Sequence, residues 1–221
     1  MARSSISPDL ALERELFKEH NLIVGIDEVG RGAYAGPVSV GVCIIDANCT
    51  SIPIGLKDSK LLSLIAREKL RPGIAAWALA TAVGDCEPDE IDAIGMTAAL
   101  RLAANRALNS LELSPDIAIL DGSHNWLTPP TRDLFSDPPA EPEFTGKVMM
   151  KVKADMSCAS VAAASVVAKV HRDALMRQYE ADFPGYGFAD NVGYGTGAHR
   201  EAISQKGLTK IHRHSWNLTS D

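Results

Sequence analysis

Three segments of the chain end an apolar, strand-like run on an acid. LIVGI (22–26) leads to Asp27 and Glu28, DIAIL (116–120) leads to Asp121, and KVMMKVKA (147–154) leads to Asp155. If these strands share a sheet, their ends converge and four carboxylates crowd one spot. Such a cluster is unfavourable unless protons or a cation neutralise it. Oxygen donors without His or Cys select Mg²⁺ or Mn²⁺ over zinc. Two such ions about 3.5–4 Å apart form the usual clamp for transferring a phosphoryl group to water. Each acid taken alone has an ordinary alternative as a turn or helix-cap residue. Neighbours on a strand point to opposite faces, so Asp27 and Glu28 serve one site only where the strand ends or bends. Gly30, Gly32 and Gly36 follow directly and permit a bend.

These acids need a scaffold. LIVGI (22–26) and PVSVGVCII (37–45) read as neighbouring strands joined by the glycine-rich turn. KDSKLLSLIAREKLRPG (57–73) reads as a helix from about Ser59, stopped by Pro72 and Gly73, and WALATAVGDC (77–86) as a further strand. Pro88 opens a long helical pattern with Ile91, Ile94, Ala98 and Leu102 on one stripe and Ala99, Ala103, Ala107 and Leu111 on the next. Residues 122–146 hold five prolines and read as a loop. Ser157 to about Glu180 reads as a helix with Val161, Ala164, Ala168, Leu175 and Tyr179 on one side, and a second helix is expected from His199. Strands mixed with Ala-rich helices indicate the α/β class, a central sheet with helices on its faces. The expected organisation is a lead-in over 1–20, the main domain over 21–185 and a small appendage over 186–221.

The 221 residues are 46% hydrophobic and 23% charged, the balance of an ordinary globular protein. Aromatics are few, so the core is built from Ala, Val, Ile and Leu. No apolar run approaches the roughly 18 residues of a membrane helix. The first twenty residues lack the apolar core of a secretory signal, which points to the cytoplasm and away from a membrane. Cys43, Cys49, Cys86 and Cys158 form no C-x-x-C pair and read as free thiols. A net charge of −6 excludes a uniformly basic surface. Residues 147–177 nevertheless carry six Lys and Arg against two Asp, and residues 199–216 carry four against one acid. The C-terminal third therefore offers a local basic patch to nucleic acid.

Over GIDEVGRGAYAGPV (25–38), LKDSKLLS (56–63), AILDG (118–122), KADMSCASVAAASVVAKVHRD (153–173), and NVGYGTGAHREAI with GLTKIHRHSW (191–216), the chain resembles the type 2 ribonucleases H, the ribonuclease HII family. The resemblance implies a ribonuclease-H-like mixed sheet flanked by helices, with a small C-terminal helical extension. It implies a monomeric endoribonuclease that hydrolyses the RNA strand of RNA–DNA hybrids. Such an enzyme also cuts 5′ to ribonucleotides embedded in duplex DNA, leaving 3′-hydroxyl and 5′-phosphate ends. It implies two Mn²⁺ or Mg²⁺ ions on Asp27, Glu28, Asp121 and Asp155, with Asp27 bridging.

Gly30, Arg31 and Gly32 are then expected to bring backbone to the ribose 2′-hydroxyl, an approach that residues without a Cβ allow. Tyr194 is expected to stack on the sugar of the adjacent deoxynucleotide and to hydrogen-bond the 2′-hydroxyl, and Lys60, Ser165, Lys169 and Arg172 are expected on phosphates. Asp173 reads as a salt-bridge or positioning residue, and the pair His212 and His214 as structural or phosphate-side groups. Two departures from the family pattern are Ala33-Tyr34 and a long proline-rich loop over 127–146. A ribonuclease HIII would share the carboxylates behind an added amino-terminal domain, for which the 26 residues before Asp27 are too few. A non-catalytic hybrid-binding module would lack one of the acids, and all four are present.

Overall fold

The structure is a computed structural model and describes residues 7–130, 139 and 141–218. In chain order the elements are α1 (Ala11–Leu16), β1 (Ile23–Val29), β2 (Val38–Ile45), a 3₁₀ turn (Ser59–Leu61), α2 (Leu64–Trp77), β3 (Ala80–Cys86) and α3 (Pro88–Ile94). They continue with α4 (Met96–Asn109), β4 (Ile117–Asp121), β5 (Lys147–Lys151), α5 (Ala154–Ser157), α6 (Ala159–Asp182), α7 (Phe188–Asn191) and α8 (Gly197–Lys206). The five strands form one mixed sheet in the order β3-β2-β1-β4-β5. The β1–β2 and β2–β3 pairs are antiparallel, whereas β1–β4 and β4–β5 are parallel.

Strand alternation sorts the core into two layers. Ile23, Cys43, Ile45, Ile117 and Ile119 face α6, where Val161, Ala162, Ala164 and Val166 are fully buried, with Leu70 and Ile74 of α2 alongside. Val24, Ile26, Val38, Val40, Val42, Ile44, Ala118 and Leu120 face α4, against Ala99, Leu100, Ala103 and Ala107. The alanine stripes let both helices lie close to the sheet. At Gly25 a Cβ would collide with the backbone of Ser160 and Val161, so β1 and α6 pack main chain to main chain. Each buried Ile or Val contributes roughly 1.5–3 kcal/mol.

A third cluster holds the C-terminal segment. Tyr186, Phe188, Ala202, Ile203 and Ile211 pack with Ala35 and Met176, so the segment after α6 is seated on the turn that follows β1. The lead-in is also fastened. Glu13 of α1 is fully buried and accepts from the Ser160 amide at 3.0 Å and the Ser160 hydroxyl at 2.9 Å, at the N-terminus of α6. Among the described residues no helix is long and apolar enough to cross a membrane, and all four cysteines are free and buried.

Several boundaries differ from those expected. The helix expected from Ser59 divides into the 3₁₀ turn and α2, because Ser63 caps α2 by accepting from the Ala66 amide at 3.3 Å. Pro72 does not stop α2, which runs on to Trp77; Ile74 is fully buried and Trp77 packs on the same core, which holds the turn beyond the proline in place. The long pattern from Pro88 is two helices, α3 and α4, parted at Gly95 with φ 77°. The proline-rich loop is described only in part, since residues 131–138 and 140 lie outside the described residues.

Candidate active site

Asp27 and Glu28 sit inside β1 rather than beyond its end. On one side β1 stays paired to β2 as far as Val29 with Ser39. On the other, pairing with β4 stops at Ile26 with Leu120. The two parallel strands part at their carboxyl ends, where open α/β sheets bind ligands. Asp121 is the last residue of β4, as expected. By alternation Asp27 and Asp121 fall on the α6 side of the sheet and Glu28 on the other, and the missing pairing beyond Ile26 leaves no strand between Glu28 and Asp121.

Asp155 is not at a strand end. β5 stops at Lys151, Lys153 takes a left-handed conformation with φ 59°, and Asp155 lies in the one-turn helix α5. Asp121 caps that helix: its Oδ1 accepts from the Ala154 amide at 2.7 Å. One carboxylate thus places another. The 3₁₀ turn brings Lys60, whose Nζ lies 3.0 Å from Asp155 Oδ2 and 3.8 Å from Asp58 Oδ1. Arg31 Nη1 lies 3.2 Å from Glu28 Oε1.

The four acids feel one another. Burial, then the negative fields of Glu28, Asp121 and Asp155, push Asp27 well above the usual carboxylate range, against the pull of Lys60. Burial also raises Glu28, with Arg31 opposing it. Asp121 is raised by burial and by Asp155, and the amides at the start of α5 oppose the shift. Lys60 is raised as well: burial disfavours its charge, but the bond to Asp155 and the fields of Asp27 and Asp58 outweigh burial and keep the ammonium protonated. The cluster carries more negative charge than one lysine balances, and hard oxygen donors are what Mg²⁺ or Mn²⁺ takes. It is not a finished cage: among the described residues, no three His, Cys, Asp or Glu side chains stand close enough to grip an ion as they are.

The groups expected on nucleic acid divide. Gly30 and Gly32 are glycines for different reasons. Gly30 has φ 83° and a Cβ there would strike Arg172, whereas the Cβ position of Gly32 faces open space. Tyr194 is 36% exposed, on the loop between α7 and α8. Its carbonyl accepts from His199 Nδ1 at 3.0 Å. His199 Nε2 meets His212 Nε2 at 3.2 Å, and His212 Nδ1 takes the Thr209 amide at 2.9 Å. A backbone N–H only donates, so His212 carries its proton on Nε2 and passes a bond to His199, which donates to Tyr194. His212 is therefore a buried structural group, while exposed His214 donates its amide to Asp92.

Ser165 and Arg172 are corrected. Ser165 is 1% exposed, accepts from the Ser59 amide at 3.1 Å and meets the Ser59 hydroxyl at 2.7 Å, so it holds the Lys60 turn onto α6 rather than facing a phosphate. Arg172 is fully buried and donates to the carbonyls of Ala35, Pro37 and Val192. Lys169 stands 2.6 Å from Asp173, which also takes Arg67 at 3.1 Å. Asp173 is thus a salt-bridge residue, and Arg67 donates onward to the carbonyls of Ser59 and Leu62. Sequence reading passed over Asp58, Arg67 and Arg213. Asp58 alone carried a signal, as the cap of the 3₁₀ turn.

The sequence model of the ribonuclease HII family matches residues 24–219. Among its relatives, ribonuclease HII of Streptomyces coelicolor is 46% identical over 195 residues, covering 88% of this chain and 76% of the relative. That of Thermus thermophilus is 41% identical over 202 residues, covering 91% and 89%. Among solved structures, ribonuclease H2 of Pyrococcus horikoshii superposes with a TM-score of 0.67 at 27% identity, covering 90% of this chain and 95% of that one. The ribonuclease HII of Archaeoglobus fulgidus, solved in complex with PCNA, superposes at 0.65 and 26%, covering 90% and 97%. Carboxylates gathered where two parallel strands part, in a mixed sheet shared with these enzymes, lead to one assignment: the chain belongs to the ribonuclease HII family and is a ribonuclease H, a hydrolase of RNA in RNA–DNA hybrids.

Proposed function

We propose that the enzyme also cuts duplex DNA 5′ to an embedded ribonucleotide, using two Mg²⁺ or Mn²⁺ ions held by Asp27, Glu28, Asp121 and Asp155. The observation that carries this is the gathering of four carboxylates at one spot, where burial first, and the fields of Glu28, Asp121 and Asp155 after it, drive Asp27 toward protonation, a cost that divalent cations remove. Ions held there would polarise the scissile phosphate and lower the pKa of the attacking water. Asp27, buried and acted on by the charges of all three other acids, is the carboxylate placed to bridge. Lys60, 68% exposed along its side chain, is free to turn from Asp155 to a phosphate. No protein nucleophile is required, and the products carry 3′-hydroxyl and 5′-phosphate ends.

Substrate choice is assigned to the neighbouring loops. Gly32, with open space where a Cβ would stand, admits a ribose against the backbone. The 2′-hydroxyl tells RNA from DNA, and Tyr194 presents a ring to the sugar on the DNA side. Lys169 is left as a phosphate contact near Asp173. The four free thiols suit a reducing compartment, and the enzyme is assigned to the cytoplasm as a monomer. The deciding experiment incubates the protein with duplex DNA carrying one ribonucleotide, in Mg²⁺, Mn²⁺ or EDTA, and maps the ends. A cut 5′ to the ribonucleotide, lost in EDTA, is expected; no metal-dependent cut there would refute the assignment.

A further inference from the structure

The turn that follows Asp27 and Glu28 is held open from behind by two buried guanidinium groups. Arg213, from the segment after α8, is fully exposed to nothing but protein: its relative exposure is 0%. It donates to the carbonyls of Gly30 at 2.6 Å, Arg31 at 2.8 Å and Gly36 at 3.1 Å. Arg172 of α6 donates to those of Pro37 at 2.9 Å, Ala35 at 3.0 Å and Val192 at 2.7 Å. All six bonds end on main-chain oxygens, and five of those oxygens belong to residues 30–37. Main-chain pairing adds to the grip. Tyr34 donates its amide to Gly193 O at 2.7 Å, and Arg213 donates its own to Tyr34 O at 2.9 Å. Arg172 also lies 5.8 Å from the centre of the Tyr194 ring.

Two buried cations bonded to carbonyls rather than carboxylates are costly. Burial and the nearby charge of Arg172 lower the pKa of Arg213 to about 9. The compensation is geometric: a planar fork fixes several carbonyls at once, which a lysine does not do. With the carbonyls of Gly30, Arg31, Ala35, Gly36 and Pro37 turned inward to the arginines, the outer edge of the loop at Gly32 is left facing solvent.

We propose that Arg213 is a positioning residue for ribonucleotide recognition, holding the Gly30, Arg31 and Gly32 backbone in the shape that meets the ribose. The proposal rests on the 2′-hydroxyl-reading role given to that backbone above. It makes the C-terminal segment part of substrate choice, although the segment contributes none of the acids. A single embedded ribonucleotide offers one 2′-hydroxyl as its only cue, whereas a long hybrid offers one at every register. Loss of loop shape therefore falls more heavily on the single-ribonucleotide substrate.

The test compares Arg213→Lys and Trp216→Ala with the parent enzyme on both substrates, at a temperature well below each melting point. Trp216 stacks on the Arg213 guanidinium, its ring centre 4.9 Å away, so its removal loosens the fork without deleting it. Expected for Arg213→Lys is a fall of about tenfold or more in the ratio of single-ribonucleotide to hybrid cleavage, carried by kcat rather than KM. A smaller fall in the same direction is expected for Trp216→Ala. Equal losses on both substrates, or none, overturn the proposal. If Arg213→Lys does not fold, Trp216→Ala decides alone, and an unchanged ratio overturns it. A parent enzyme that fails to cut at the embedded ribonucleotide would instead overturn the proposed function.

Discussion

Lys60 Nζ stands 3.0 Å from Asp155 Oδ2, joining the 3₁₀ turn before α2 to the one-turn helix before α6. The two come from distant parts of the chain and meet at the cluster of acids, where the ammonium balances part of the carboxylate charge. Ser165 and Arg67 hold the turn that carries Lys60, so the fold fixes where the lysine is rooted while its exposed side chain stays able to turn.

Lys60→Met follows from that contact. Removing the ammonium leaves the acids less compensated in EDTA, and a pair whose ammonium end is largely in water contributes about 1 kcal/mol. The melting temperature in EDTA is expected to fall by roughly 1–3 °C for a chain of this size. In saturating Mg²⁺, whose charge takes over, the fall should shrink. Equal losses with and without Mg²⁺ would remove Lys60 from the charge balance.

Asp27→Asn acts in the opposite sense. The folded pKa of Asp27 is raised, burial being the first cause and the neighbouring acids the second. The folded state therefore binds the proton more tightly than the unfolded chain, and its stability falls as pH rises through the interval between the two values. At neutral pH without metal, the variant should melt roughly 2–4 °C higher, the equivalent of about 1 kcal/mol, while cleavage disappears. Calorimetry in EDTA checks it; a variant that is less stable across pH 5–8 would contradict the crowding.

Asp121→Asn separates chemistry from fold. The Asn oxygen still accepts from the Ala154 amide, so α5 keeps its cap. What is lost is one anionic ligand, and cleavage should drop by more than about a hundredfold, since even groups behind a ligand are worth about 10–100-fold. Binding to a hybrid should persist, measured by gel shift or anisotropy. Retained cleavage in Mg²⁺ and Mn²⁺ would take Asp121 out of the site.

Much of this was legible in the residues. Acids after apolar runs marked the site because a buried strand seldom ends in charge without a partner, and alternation told that Asp27 and Glu28 point to opposite faces of β1, though not which of them faces α6. Asp155 was legible as a member and not as to its setting, because nothing in KVMMKVKAD shows that Lys153 turns left-handed and starts a helix. Ser165 and Arg172 misled for a physical reason. A hydroxyl or a guanidinium on a basic helix looks the same in sequence whether it meets a phosphate or a carbonyl, and only burial separates them. Arg213 was invisible because its partners are backbone oxygens, which leave no mark on the sequence.

Arg31→Ala and Tyr194→Phe probe substrate choice at the surface of the same loops. Arg31 stands beside Glu28 with half its side chain exposed, and the Tyr194 ring is presented on the facing loop. Each change should reduce cutting at a single embedded ribonucleotide about tenfold, the scale of a lost hydrogen bond to a charged or polar partner. A long hybrid should be affected less. Equal losses on the two substrates would leave these residues without a role at the junction.

The His199–His212 pair makes the seat of Tyr194 sensitive to acid. Burial first, and the neighbouring His199 second, lower the pKa of His212 to about 4, and burial lowers that of His199. Both rings are neutral in the chain of bonds that ends on Tyr194 O. The unfolded chain takes up protons first as pH falls, at about 6.5. The contribution is therefore fully present above that pH and is lost as pH falls toward 4. His212→Asn, whose side-chain oxygen still faces the Thr209 amide but does not titrate, removes the His212 part of the dependence and leaves that of His199. The melting-temperature advantage of the parent over this variant should narrow steadily between pH 6.5 and 4, by about 5 °C if roughly 2 kcal/mol is at stake. A constant difference over that range would show that the pair does not hold the C-terminal cluster by staying neutral.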